Sequence, residues 1–126
     1  MSHKSRLCQI VVDVPEAEFE ATTNFWAEAL NTPVEPPHGD MDEYRVLGWV
    51  TPGIHMETQS VDALARFHID IETDDIEAEV ARLIGIGASD VERHRDWVVM
   101  RDPAGLPFCV VPNFSPQFAD QATVWP

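Results

Sequence analysis

The chain has 126 residues, 22 of them acidic and 8 basic, for a formal net charge of −14. That length suits one domain with a core of its own, and 44% hydrophobic content with four Trp argues against disorder despite the charge. A chain this acidic lacks the basic face that nucleic acid requires and disfavours anionic membrane surfaces. It also contains no apolar run of about 18 residues that could span a bilayer.

The segment MSHKSRLCQIVV has a short apolar stretch and no small-residue cleavage site, so it reads as a first strand rather than a signal peptide. Two cysteines are no disulfide framework, and without an export signal the expected setting is reduced and cytoplasmic. Residues 7–14, LCQIVVDV, are apolar and β-branched, which predicts a mostly buried strand closed by Pro15. Residues 16–30 predict a helix, because Phe19, Thr23, Trp26 and Leu30 share one face of a 3.6-residue period. Residues 31–42, with Pro33, Pro36, Pro37 and Gly39, read as loop or edge strand. Tyr44–Val50 and Gly53–Gln59 read as two strands joined at Thr51-Pro52-Gly53.

The pattern then restarts. Arg66–Glu72 predicts a strand and Thr73-Asp74-Asp75 an N-cap cluster. Ile76, Val80 and Leu83 give a second helix stopped by Gly85 and Gly87. Asp96–Arg101 and Leu106–Val111 read as strands around the turn Asp102-Pro-Ala-Gly105. Residues 112–126 show no period, and Phe114, Phe118 and Trp125 imply a tail packed on something. The expected fold is therefore α+β, a strand–helix–strands unit used twice, each half-sheet covered on one face by its helix. The two uncovered faces would curl into a shared cup-shaped cavity.

Several residues in those strands carry chemistry. His68 and Asp70 are two apart on one strand and project to the same face. An imidazole and a carboxylate in an apolar strand suit a metal ligand with a nearby orienting group or base, or else a hydrogen-bonded structural pair. His55 and Glu57 repeat the alternation, either as ligands for zinc, iron, nickel or manganese or as the wet face of a strand. Gln9 in the first strand and Cys109 in the last are further donors, although Cys109 in FCVV is by default a small core hydrophobe. Cys8 has the opposite parity to Gln9, so a Cys8–Cys109 bridge is not expected. Trp49 and Trp97 are placed to wall an apolar ligand pocket or to serve as core. His3, His38 and His94 carry no signal.

RFHIDIETDDIEAEVARLIGIGA followed by WVVMRDPAGLPFCVVP resembles the second module of a glyoxalase-like domain. That family lies in the vicinal oxygen chelate superfamily, with bleomycin-resistance proteins and extradiol dioxygenases. LCQIVVDVPEAEFEATTNFWAEAL resembles the first module, and the likeness spans roughly residues 7–114. The resemblance implies paired βαβββ modules in a curved, mostly antiparallel sheet, a homodimer, and a divalent metal (Zn, Ni, Mn or Fe) on the inner sheet. By position the ligands would be Gln9, His55 (or Glu57 if the register slips by two), His68 and Cys109. Asp70 and Glu57 would be the catalytic carboxylates. Cys109 stands where glyoxalases commonly carry a glutamate that is both ligand and base, which speaks against the usual isomerisation route. The implied function is an enzyme or binder acting on a small molecule with neighbouring oxygens, by lyase, isomerase or dioxygenase-like chemistry. The alternative is a metal-free protein that sequesters a drug-like apolar compound.

Overall fold

The computed structural model describes residues 2–36 and 41–126. Residues 37–40, which include His38 and part of the expected loop, lie outside the described residues. The chain divides into two compact units, one formed by Gln9–His68 and the other by the residues up to Cys8 together with Ile69–Pro126.

In the Gln9–His68 unit, the second half of β1 (His3–Pro15) leads into α1 (Glu16–Ala29), then β2 (Tyr44–Thr51) and β3 (Ile54–Val61). Pro15 ends the strand and is the residue on which the helix starts, its φ of −59° already suited to that entry. β1 pairs in parallel with β3, Gln9 opposite His55 and Asp13 opposite Gln59, and β3 pairs antiparallel with β2. The turn between β2 and β3 uses Gly53 at φ +81°, a conformation costly for residues with a Cβ. A place for a third strand after α1 is taken by a single bridge, Glu35 to Val46. Val12, Val14, Leu47 and Met56 form the core, with Phe19, Trp26 and Ala27 of the helix packed against them. The helix face holds one polar clasp: Thr23 Oγ1, which donates to Phe19 O, meets Thr58 Oγ1 at 2.7 Å, and both residues are buried.

In the other unit, the part of β4 (Arg66–Thr73) from Ile69 onward is followed by α2 (Ile76–Gly85), β5 (Ser89–Arg93), β6 (Val98–Arg101) and β7 (Pro107–Pro112), in sheet order β4-β7-β6-β5. Asp75 caps α2 by accepting from the Ala78 amide at 3.0 Å. Asp102 closes the predicted turn, its Oδ1 accepting from the amides of Ala104 and Leu106, with Gly105 at φ +91°. Val80 and Leu83 pack on Val98, Met100 and Val110.

The α+β class and the repeated strand–helix–strands unit expected from the sequence are present. Three elements carry no local signal in the sequence, although the paired βαβββ modules that the resemblance implies leave room for the first of them. β5 is a polar edge strand, while α3 (Phe118–Gln121) and β8 (Thr123–Trp125) organise the tail, β8 pairing antiparallel with His3–Ser5. The tail does pack, with Phe118 buried, whereas Phe114 is exposed. His3, which carried no signal in the sequence, is buried against Glu79 at 2.7 Å. Among the described residues no helix is long and apolar enough to cross a membrane.

Candidate functional site

Strand parity builds the candidate site. Along β1, Val12 and Val14 face α1, so the alternate residues Gln9, Val11 and Asp13 share the opposite face, and all three are buried. On β3, Met56 and Thr58 take the helix side and leave His55 and Glu57 on the other. On β4, His68, Asp70 and Glu72 share one parity and are more enclosed than Phe67 and Ile69, which are exposed. Polar groups thus lie inward where an ordinary half-buried strand would place apolar ones.

On β1 and β3, the parallel register sets His55 directly beside Gln9 rather than Glu57, and His55 Nδ1 donates to Gln9 Oε1 at 2.5 Å. Glu57 Oε1 stands 4.0 Å from the same ring nitrogen. Trp49 on β2 packs edge-on against His55 at 5.0 Å between ring centroids and is 42% exposed. Trp97 stacks on His94 at 4.3 Å in the approach to β6 and is 36% exposed. Neither tryptophan is core.

Along β4 and β7, Asp70 is in register with Cys109. One ligand atom each from His68, Asp70 and Cys109 lies within 4.8 Å of the others. Imidazole nitrogen, carboxylate oxygen and thiol sulfur are donors suited to zinc or another transition cation. Ligands bonded at about 2.0–2.3 Å to one tetrahedral ion stand roughly 3.3–3.8 Å apart, so movements of about an ångström would close the set. Three protein ligands leave a coordination position for substrate, the pattern of catalytic rather than structural centres. The donors therefore fit a divalent metal. Asp70 joins this set as a third donor rather than as the orienting group or base expected from the sequence; Gln9 and His55 meet each other on β1 and β3.

His68 has a partner that sequence reasoning missed. Its Nδ1 lies 2.5 Å from Asp13 Oδ2, and Arg66 Nε lies 3.6 Å from the same oxygen. Asp13 is 1% exposed, and its Oδ1 has no hydrogen-bond partner among the described residues. Cys8, the other free cysteine, is chemically quiet. Burial pushes its thiol well above the ordinary range, and the charges of Glu72 and Asp70 add to the shift.

The family model of the glyoxalase-like domain matches residues 9–111, and the chain belongs to that family within the vicinal oxygen chelate superfamily. Among solved structures, a hypothetical protein, BH1468, from Bacillus halodurans C-125 matches with TM-score 0.63 and 10% identity, over 88% of this chain and 96% of that one. The methylmalonyl-CoA epimerase of Mycobacterium tuberculosis matches with TM-score 0.55 and 16% identity, over 90% of each chain. At those identities the likeness is one of fold. No curated protein matches the chain.

Proposed function

We propose that the protein is a metal-dependent enzyme acting on a small molecule with two neighbouring oxygens. The observation that carries this reading is the set of three unlike donors on β4 and β7, His68, Asp70 and Cys109. A divalent cation held there would polarise the substrate oxygens as a Lewis acid. The remaining roles fall to the protein's own groups. His68 and Asp70 fix the geometry of the centre from one strand, and Cys109 supplies a thiolate where a glyoxalase would carry a glutamate. Glu57, half-buried and 4.0 Å from His55 Nδ1, is the carboxylate beside the Gln9–His55 pair that could move a proton. With Cys109 in place of a carboxylate at that position, the usual hemithioacetal route lacks its base, and the reaction proposed is lyase or isomerase chemistry that draws its base from another residue.

A second reading is favoured by one observation. Gln9 and His55 are hydrogen-bonded to each other at 2.5 Å, and Trp49 offers an exposed aromatic surface beside them. That arrangement suits a metal-free binder of an apolar compound. A cytosolic location and a homodimer complete the proposal, the dimer being checked by sedimentation.

Titration of the metal-stripped protein with Zn, Mn, Ni or Fe(II) separates the two readings. The first expects one saturating equivalent per chain with a rise in Tm, lost in His68→Ala and Cys109→Ser. The absence of saturable binding for all four ions, with ligand quenching of Trp49 unaffected by a chelator, would select the binder.

A further inference from the structure

The geometry points to Asp13 as the positioning residue that sets which nitrogen of His68 faces the candidate centre. The inference rests on the reading of His68 as a ligand. A neutral imidazole carries its proton on one nitrogen and its lone pair on the other, and the hydrogen bond made by one decides the role of the other. Asp13 Oδ2 can only accept when ionised, so at 2.5 Å it requires Nδ1 of His68 to be the protonated nitrogen. The lone pair is then confined to Nε2. Carboxylates that hold a ligand histidine in this way also raise its basicity as a donor.

Three features make this more than a chance surface contact. Both side chains are sheltered, at 2% exposure for Asp13 and 12% for His68. The only cation within ion-pair distance of Asp13 is Arg66, among the described residues; it stands off at 3.6 Å with a side chain 48% exposed, so His68 is the nearer partner. Asp13 Oδ1 meanwhile lacks a hydrogen-bond partner among the described residues. Buried carboxylates with purely structural work have both oxygens occupied elsewhere in this chain, as Glu72 and Glu79 do. Asp13 is instead committed through one oxygen to one imidazole.

The test is the tautomer of His68, read from long-range 1H–15N correlation spectra of the metal-free, full-length protein at about pH 8, where an ordinary imidazole is neutral. The resonance is assigned by its loss in His68→Asn. The expected result is a protonated Nδ1 and an unprotonated Nε2. In Asp13→Asn, whose amide can either accept or donate, the Nε2-protonated form should appear. Zinc affinity, measured by competition with a chromophoric chelator, should fall about 10–100-fold while the circular dichroism is unchanged. An Nε2-protonated His68 in the parent protein, or an Asp13→Asn variant with unchanged tautomer and zinc affinity, would overturn the assignment. The parent spectrum decides the matter even if the variant does not fold. A parent with protonated Nδ1 that binds no metal would defeat the metal reading and leave the positioning role intact.

Discussion

Two kinds of buried carboxylate occupy this molecule. Glu72 and Glu79, in the unit completed by the tail, are fully enclosed, and each oxygen is used. Glu79 meets His3 and takes a two-point contact from Arg82, whose guanidinium in turn lies 3.8 Å from the Trp125 ring centroid. Glu72 receives Arg6, the Ser115 hydroxyl, and the amides of Phe114 and Ser115. Asp13, in the Gln9–His68 unit, is as deeply buried and yet is committed to His68 through one oxygen. Saturation marks a carboxylate that fastens chain segments, here both termini onto α2 and β4. Commitment to a single imidazole marks one that orients.

The largest effect should come from breaking the saturated kind. Glu79→Ala strands His3 and Arg82 with an unmet charge, and should cost about 3–5 kcal/mol in urea unfolding. A loss below about 1 kcal/mol would mean that the cluster is ornamental. Acid should act through the same pair. Burial alone would raise both carboxyls, but for Glu79 the bonds from Arg82, His3 and Ser5, and for Glu72 those from Ser115, Phe114 and Arg6, outweigh it and hold them below their ordinary value of 4.5. A depressed folded value contributes stability above the unfolded one, lost as pH falls through the folded value. Unfolding free energy should therefore drop below about pH 4.5, and the drop should be shallower in Glu72→Gln. An unchanged profile in that variant would remove Glu72 from the account.

Asp13→Asn keeps the shape and an acceptor, so its stability cost should be about 1 kcal/mol or less. A loss as large as that of Glu79→Ala would erase the contrast between the two kinds. The smallest effect should be that of Trp125→Leu, which removes the ring from Arg82 and should cost about 0.5–1 kcal/mol by thermal melting. No change would show that Arg82 is held by Glu79 alone.

The sequence carried the repeated unit because its signals are local: helical periods at Phe19–Trp26 and Ile76–Leu83, a capping Asp75, and glycine turns at Gly53 and Gly105. Strand parity puts His68 and Asp70 on one face of a strand, whereas Cys109 enters the donor set through the resemblance to the glyoxalase-like module, since the offsets between the two halves are not constant. The sequence concealed β5, whose SDVER has one apolar residue, the exposed Val91. β8 was hidden too, since three residues gain strand character only by pairing with His3–Ser5. Acidic residues in a chain of charge −14 read as solvated by default. Nothing local marks Asp13, Glu72 or Glu79 as buried, because the partners of Asp13 and Glu72 and the His3 that meets Glu79 stand 42 to 76 positions away in the chain.

The central claim is that β4 and β7 present a centre built from His68, Asp70 and Cys109. Its most direct test is an anomalous difference map, recorded at the zinc edge from crystals of the protein soaked in zinc. The expected result is one strong peak per chain at about 2.0–2.3 Å from His68 Nε2, an Asp70 oxygen and Cys109 Sγ. Strong peaks confined to other residues, with these three side chains left uncoordinated, would contradict it.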